Sequence, residues 1–334
     1  MKAAVIGAGS WGTALAQVLG GKGVRAMLWA RDAAVADGIN RDRRNPRYLS
    51  AATLSSNVGC TTSVEQALSG AQAVVLVTPS RYMRDTAEMV APFLPDDVPV
   101  VICSKGVEAG SGLLLTQVAS EVVGNADRIA VLSGPTHAEE VVEGQPSATV
   151  IAGTGEATVL FFRDLFATER FRTYASDDPV GVELCGAFKN VIAIAVGISY
   201  GMGYGDNTAA LLITRGLAEM GRMVAACGGN ALTCMGLAGA GDMVVTCMSR
   251  HSRNRRFGQD YIAHGKTMED FEADTHMVVE GAVACKTLEA LSAAHGVELP
   301  LTDAVRDIVW NGGDLRAMAR ELFARPLKSE FYGM

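Results

Sequence analysis

Three places in the sequence join residue type to spacing in a way that could do chemistry. Lys189 interrupts the run Gly181-Val182-Glu183-Leu184-Cys185-Gly186-Ala187-Phe188-Lys189-Asn190-Val191-Ile192-Ala193-Ile194-Ala195, which is apolar on most helical faces. An ammonium there is costly to bury unless it is paired or faces a polar cleft. It is either a lysine whose stem snorkels to the helix surface or one that hands a proton to a carbonyl oxygen from a lowered pKa. Asp242 is the one carboxylate of the segment Gly236-Leu237-Ala238-Gly239-Ala240-Gly241-Asp242-Met243. It is a partner that would orient such a lysine or hold a substrate hydroxyl, and its charge opposes the lowering of the lysine pKa by burial. Downstream comes Arg250-His251-Ser252-Arg253-Asn254-Arg255-Arg256. With Ser252 as helix N-cap, its hydroxyl, the first-turn amides and Arg253 would make a phosphate seat; a solvated basic helix start is the alternative.

A fourth feature concerns a cofactor. Gly7-Ala8-Gly9-Ser10-Trp11-Gly12 follows a short apolar run directly and opens a helical pattern through Thr13-Ala14-Leu15-Ala16-Gln17-Val18-Leu19. After a strand and before a helix, Gly-x-Gly-x-x-Gly reads as a dinucleotide grip. Gly7 allows the tight turn, Gly9 lets backbone approach a pyrophosphate, and Gly12 lets helix and strand pack closely. At the end of the second strand an NAD site usually carries an acid for the ribose. Here stand Arg31 and Asp32. Arg31 suits the 2′-phosphate of NADP, and Asp32 serves either the ribose of NAD or the cap of the next helix. Lys105, in Ser104-Lys105-Gly106, and the segment Gly134-Pro135-Thr136-His137-Ala138 both follow predicted strands, where ligands bind in such sheets.

The elements that must position these groups fall into two halves. Apolar runs at residues 3–6, 24–29, 73–78, 98–103, 129–132 and 148–152 alternate with helical patterns, the rhythm of a parallel sheet with crossover helices. From about residue 156 the spacing is helical, as in 181–202, 207–227, 253–263, 281–294 and 314–323. Asp177-Asp178-Pro179 marks the break, since proline disfavours helix before it and suits the first turn after it. The expected fold is an α/β Rossmann-type doubly wound sheet over residues 1–178, with an all-α domain over 179–334.

The totals agree with that division. A chain of 334 residues exceeds the length at which one core stops growing, and 49% hydrophobic content excludes disorder as the main theme. A formal charge of −7, from 29 basic and 36 acidic residues, argues against a nucleic-acid partner. The longest apolar stretch, residues 191–202, is too short to cross a bilayer, and residues 1–6 read as a first strand and not as a signal peptide. The seven cysteines are scattered without a Cys-x-x-Cys pair, so neither disulfides nor a zinc site are expected and the compartment is the reducing cytoplasm.

Together these segments resemble the bacterial NAD(P)-dependent glycerol-3-phosphate dehydrogenase family over nearly the whole chain. The resemblance is carried by the glycine turn, Ser104-Lys105-Gly106, Ser133-Gly134-Pro135-Thr136-His137-Ala138, Gly186-Ala187-Phe188-Lys189-Asn190-Val191-Ile192-Ala193, Ile213-Thr214-Arg215-Gly216-Leu217-Ala218-Glu219-Met220, Gly239-Ala240-Gly241-Asp242, Ser252-Arg253-Asn254-Arg255-Arg256-Phe257-Gly258 and Val278-Val279-Glu280-Gly281. It implies a homodimeric oxidoreductase that reduces dihydroxyacetone phosphate to sn-glycerol 3-phosphate for glycerophospholipid synthesis. It also implies that Ser10, Trp11, Arg31, Lys105, Ala138, Arg253, Val278 and Glu280 contact NADP or NAD, with Arg31 leaning toward NADP. The substrate contacts it implies are Lys105, Gly134, Thr136, Lys189, Asp242, Ser252, Arg253 and Asn254, with Lys189 as proton acceptor in the oxidation direction. Ala209 departs from the pattern, standing where a basic residue is usual.

Overall fold

The computed structural model describes residues 1–275, 279–330, 332 and 333. Eight strands form one sheet: β1 Lys2–Ile6, β2 Arg25–Trp29, β3 Val58–Thr61, β4 Ala73–Leu76, β5 Val100–Ile102, β6 Ile129–Ser133, β7 Ser147–Gly153 and β8 Phe171–Ser176. Their spatial order is β3-β2-β1-β4-β5-β6-β7-β8. β1 pairs in parallel with both β2 and β4, Ile6 lying opposite Trp29 on one side and Leu76 on the other. The order therefore reverses at β1, and the turn after β1 opens at this switch point, where doubly wound sheets bind their ligands.

Helices α1 Ser10–Gly21, α2 Ala33–Asp42, α3 Val64–Leu68, α4 Met83–Val90, α5 Leu115–Val123, α6 Ala138–Val142 and α7 Glu156–Phe166 accompany the sheet. Alternate strand residues feed two cores. Ala3, Val5, Leu28, Val75 and Val101 pack with Leu15, Leu19, Phe162 and Phe166. Ala4, Ile6, Val74, Leu76 and Ile102 pack with Leu115, Val118 and Met83. A sheet covered on both faces is why its strands read as unbroken apolar runs.

Three features differ from the sequence-based expectation. β3 and β8 are strands that no apolar run announces: β3 has four residues with Gly59 among them, and β8 exposes much of its length as an edge strand. The stretch beyond residue 156 is thus not wholly helical. β7 runs antiparallel to β6. The connection between them holds only α6, five residues long and rising about 7–8 Å, in place of the longer crossover helix that usually returns a chain for parallel pairing.

The remaining helices are α8 Pro179–Gly201, α9 Asp206–Ala226, α10 Asp242–Met248, α11 Arg253–Arg256, α12 Met268–Thr275, α13 Glu280–His295, α14 Pro300–Asn311 and α15 Leu315–Ala324. The chain divides into two compact units, residues 1–108 with 113–179, and residues 109–112 with 180–334. α8 is longer than the apolar stretch suggested. At 23 residues it is long and apolar enough to cross a membrane by length and composition, and its apolar window is wholly buried. Residues 181–199 are buried without a break, the signature of a core helix that is apolar all round. Each of Val191, Ile192 and Ile194 contributes about 1.5–3 kcal/mol by that burial.

Candidate active site

In the first unit the glycine turn divides its labour. Gly7 has φ +125°, and a Cβ on Gly12 would lie 1.9 Å from the Gly7 carbonyl oxygen, so both positions are closed to larger residues. Gly9 differs: a Cβ there would meet no protein atom within 4 Å. It is the N-cap of α1, it offers no side-chain cap, and the first turn carries no acid. The leading amides of α1 thus lack an intrahelical acceptor, the arrangement that receives a phosphate. Beside them the Trp11 indole N–H is buried with no acceptor among the described residues.

Asn45, which belongs to none of the sequence motifs, pins this turn. Its Nδ2 donates to the Ala8 carbonyl at 2.9 Å and to Thr13 Oγ1 at 2.8 Å, while its Oδ1 accepts from the amides of Arg47 and Tyr48. The only signal in the sequence was the turn-forming dipeptide Asn45-Pro46.

At the tip of β2, Asp32 accepts from the Ala34 amide at 2.9 Å and so caps α2, and its other oxygen lies 3.6 Å from Arg47. Arg31 is exposed and makes no ion pair among the described residues. Farther along the sheet, Lys105 Nζ donates to the Gly134 carbonyl at 3.3 Å, as Thr136 Oγ1 does at 3.1 Å. Ala138 is the first residue of α6. A cavity of about 440 Å³ between α2 and β3, lined by Asp37, Asn40 and Thr61 among others, includes none of the predicted contacts.

In the second unit Lys189 is not a snorkelling lysine. Its ammonium is buried, donating to Asp242 Oδ1 at 2.6 Å and to Thr246 Oγ1 at 3.1 Å. Thr246 Oγ1 also lies 3.3 Å from Asp242 Oδ1, closing a three-member cluster. Asp242 and Thr246 stand four apart on α10, hence on one helical face, so the spacing from Asp242 was the signal that could have found Thr246. The neighbouring thiol of Cys247 is pushed up to about 12 by burial, against the pull of Lys189, and stays a neutral thiol.

Ser252 caps α11, its Oγ accepting from the Arg255 amide at 3.2 Å. The helical path continues past α11 through a π-helical stretch, Phe257–Tyr261. Arg255 is held by the Met248 carbonyl and Gln259, and Arg256 lies 3.8 Å from Asp260. Arg253 is exposed and makes no ion pair among the described residues, which leaves its charge available to an anion. Asn254 is buried; its Nδ2 donates to Asn190 Oδ1 at 2.9 Å and its Oδ1 accepts from the Gly281 amide at 2.9 Å. That contact ties α11 to both α8 and the start of α13, where Glu280 is the first helical residue. Asn190, adjacent to Lys189 in the apolar run, was legible there as a second polar intrusion. Val278 lies outside the described residues.

A doubly wound sheet with an uncapped glycine turn at its switch point, and a helical unit with a buried lysine–aspartate pair, define a dinucleotide-dependent oxidoreductase. Residues 2–159 match the NAD-dependent glycerol-3-phosphate dehydrogenase N-terminus and residues 178–320 the corresponding C-terminus. The chain belongs to the NAD-dependent glycerol-3-phosphate dehydrogenase family. It is 45% identical over 331 residues to a glycerol-3-phosphate dehydrogenase [NAD(P)+] of Nitratidesulfovibrio vulgaris, covering 99% of this chain and 100% of that protein. It is 42% identical to one from Clostridium perfringens, covering 98% and 99%. Among solved structures, glycerol-3-phosphate dehydrogenase from Coxiella burnetii superposes with a TM-score of 0.92 at 36% identity, covering 97% of this chain and 99% of that one.

Proposed function

We propose that the protein reduces dihydroxyacetone phosphate to sn-glycerol 3-phosphate with NADPH or NADH, in the cytoplasm, as a supplier of glycerophospholipid synthesis. The observation that carries the reading is the 2.6 Å Lys189–Asp242 pair buried on an otherwise apolar helix. The bound nicotinamide supplies the hydride that adds to the C2 carbonyl carbon. As negative charge grows on the carbonyl oxygen, Lys189 Nζ gives that oxygen a proton and takes it back in the oxidation direction. Asp242 and Thr246 hold the ammonium in one orientation throughout.

Arg253 receives the substrate phosphate together with Ser252 and Asn254, whose Nδ2 keeps a second N–H beyond the one given to Asn190. Lys105, Gly134 and Thr136 add further substrate contacts. Residues 1–178 form the cofactor-binding domain, where Gly7, Gly9, Ser10, Trp11, Gly12, Arg31, Lys105 and Ala138 serve the dinucleotide. Residues 179–334 form the substrate domain, which lends Arg253 and Glu280 to the cofactor. The open space at Gly9, the orphaned Trp11 N–H and the exposed Arg31 support a fit to NADP or NAD, with NADP favoured by Arg31.

A homodimer completes the reading, supported by α15, which buries none of its residues and leaves Phe323 74% exposed. The test of substrate class is the rate of NADPH oxidation with dihydroxyacetone phosphate against unphosphorylated dihydroxyacetone. A strong preference for the phosphate ester is expected, and equal rates would overturn the phosphate seat.

A further inference from the structure

Cys185 and Cys234 are thiols, not joined in a disulfide, whose sulfurs lie 3.8 Å apart. Cys185 is on α8, one turn before Lys189. Cys234 belongs to a short 3-10 helix, Ala231–Met235, and is buried although its neighbours Leu232 and Met235 are 75% and 69% exposed. Cys234 thus lies in a short turn with exposed neighbours on both sides, the kind of segment that opens locally at low cost.

What surrounds Cys234 gives the contact a consequence. A Cβ on Gly239 would lie 2.1 Å from the Cys234 carbonyl oxygen, so the backbones of these two segments touch with no room between them. Gly239 sits in the π-helical turn Leu237–Gly241, which runs directly into Asp242. One sulfur therefore rides on the helix that carries Lys189, and the backbone that bears the other packs against the turn that delivers Asp242. A sulfur–sulfur bond is about 2.0 Å long, so closing it brings the two sulfurs nearly 2 Å closer, and whatever part of that approach χ1 rotation does not supply falls on these two supports.

We propose that Cys185 and Cys234 form a reversible dithiol–disulfide modification site through which a low-molecular-weight disulfide switches off the Lys189–Asp242 pair. This rests on reading that pair as catalytic. The Cys234 thiolate attacks the reagent disulfide, forms a mixed disulfide and releases one thiol. The Cys185 thiolate then attacks the Cys234 sulfur and releases the second. Two protein thiols lose two electrons and two protons, and the reagent is reduced to two thiols.

The test treats the full-length protein with oxidised glutathione, blocks residual thiols with iodoacetamide and maps the peptides by mass. The expected result is a peptide pair linked through Cys185 and Cys234, and a dihydroxyacetone phosphate rate lower by roughly tenfold or more, as displacements of ~1 Å at reacting groups produce. Dithiothreitol restores the rate, and Cys234→Ser keeps the basal rate but resists the oxidant. Thiols at both positions that stay open to iodoacetamide would overturn the proposal, as would a linked protein of undiminished activity or an equal loss in Cys234→Ser. The acylation rate of Lys189, read in the same map, should fall or rise several-fold on oxidation. It reports the coupling even if the reduced protein proved inactive, an outcome that would sink the reading of the pair and not of the disulfide.

Discussion

Lys189 shows how much a single residue reveals from sequence alone. A charge in an apolar run is a thermodynamic anomaly, and a solitary carboxylate in a glycine segment is its natural counterweight; the 2.6 Å contact joins the two. Thr246 and Asn45 were not legible in the same way. Their side chains are neutral and common, and their importance comes from what folding sets opposite them. If Lys189 gives up the proton, Lys189→Met lowers kcat by roughly 10²–10⁴-fold. Cofactor affinity, followed by NADPH fluorescence, stays near the starting value; near-normal turnover would remove Lys189 from the chemistry. Arg253→Ala should raise KM for dihydroxyacetone phosphate far more than for dihydroxyacetone, which paired steady-state assays would show. Arg31 belongs to a different question. Since Asp32 is spent on capping α2 and on Arg47, Arg31→Ala should move the ratio of NADPH to NADH efficiency toward NADH. An unchanged ratio would place the discrimination elsewhere.

At the scale of elements, what could be read followed burial. The central strands, covered on both faces, announced themselves as apolar runs, and α1, α8 and α9 did so by helical spacing. β3 and β8 did not, because a four-residue strand containing glycine and a half-exposed edge strand carry no such run. The direction of β7 was equally hidden, since it depends on how little helix α6 supplies. At this scale the contact between α8 and α10 bears on stability. Lys189 and Asp242 are both almost wholly buried, so removing one strands the other at a cost of about 3–5 kcal/mol. Lys189→Met combined with Asp242→Leu should unfold later in urea than either single variant, and additive losses would contradict the pairing.

The contact between α9 and α14 makes stability depend on pH. The carboxylate of Glu219 on α9 accepts from the Leu301 and Thr302 amides and the Thr302 hydroxyl at the start of α14. Burial nevertheless pushes its pKa up to about 7 from an ordinary 4.5, against those bonds and nearby Arg222. The folded chain thus binds this proton more tightly than the unfolded one. Its stabilising contribution is full below about pH 4.5 and is lost as pH rises through about 7, roughly 3 kcal/mol in all. Glu219→Gln should flatten the pH dependence of urea unfolding across that interval, and an unaltered slope would assign the dependence to other groups.

As a whole the chain divides into two compact units, of which one holds the eight-stranded sheet. The family is shared along nearly its entire length with proteins 42–45% identical. The net charge of −7 fits a protein whose partner is a small anion held by a few placed cations, not a polyanion spread over a basic face. Oligomeric state is the property least visible in the sequence, because an apolar helix face serves a core or an interface equally well. Sedimentation equilibrium should return a dimer, and Phe323→Glu should shift it toward monomer. The measurement that bears most directly on the central claim is NADPH oxidation with dihydroxyacetone phosphate, followed in the wild type and in Lys189→Met side by side. Rapid oxidation by the wild type, yielding sn-glycerol 3-phosphate, is expected, with a loss of at least about 100-fold in the variant while NADPH still binds. A wild type that binds NADPH but leaves it unoxidised, or a variant that turns over at the wild-type rate, would contradict it.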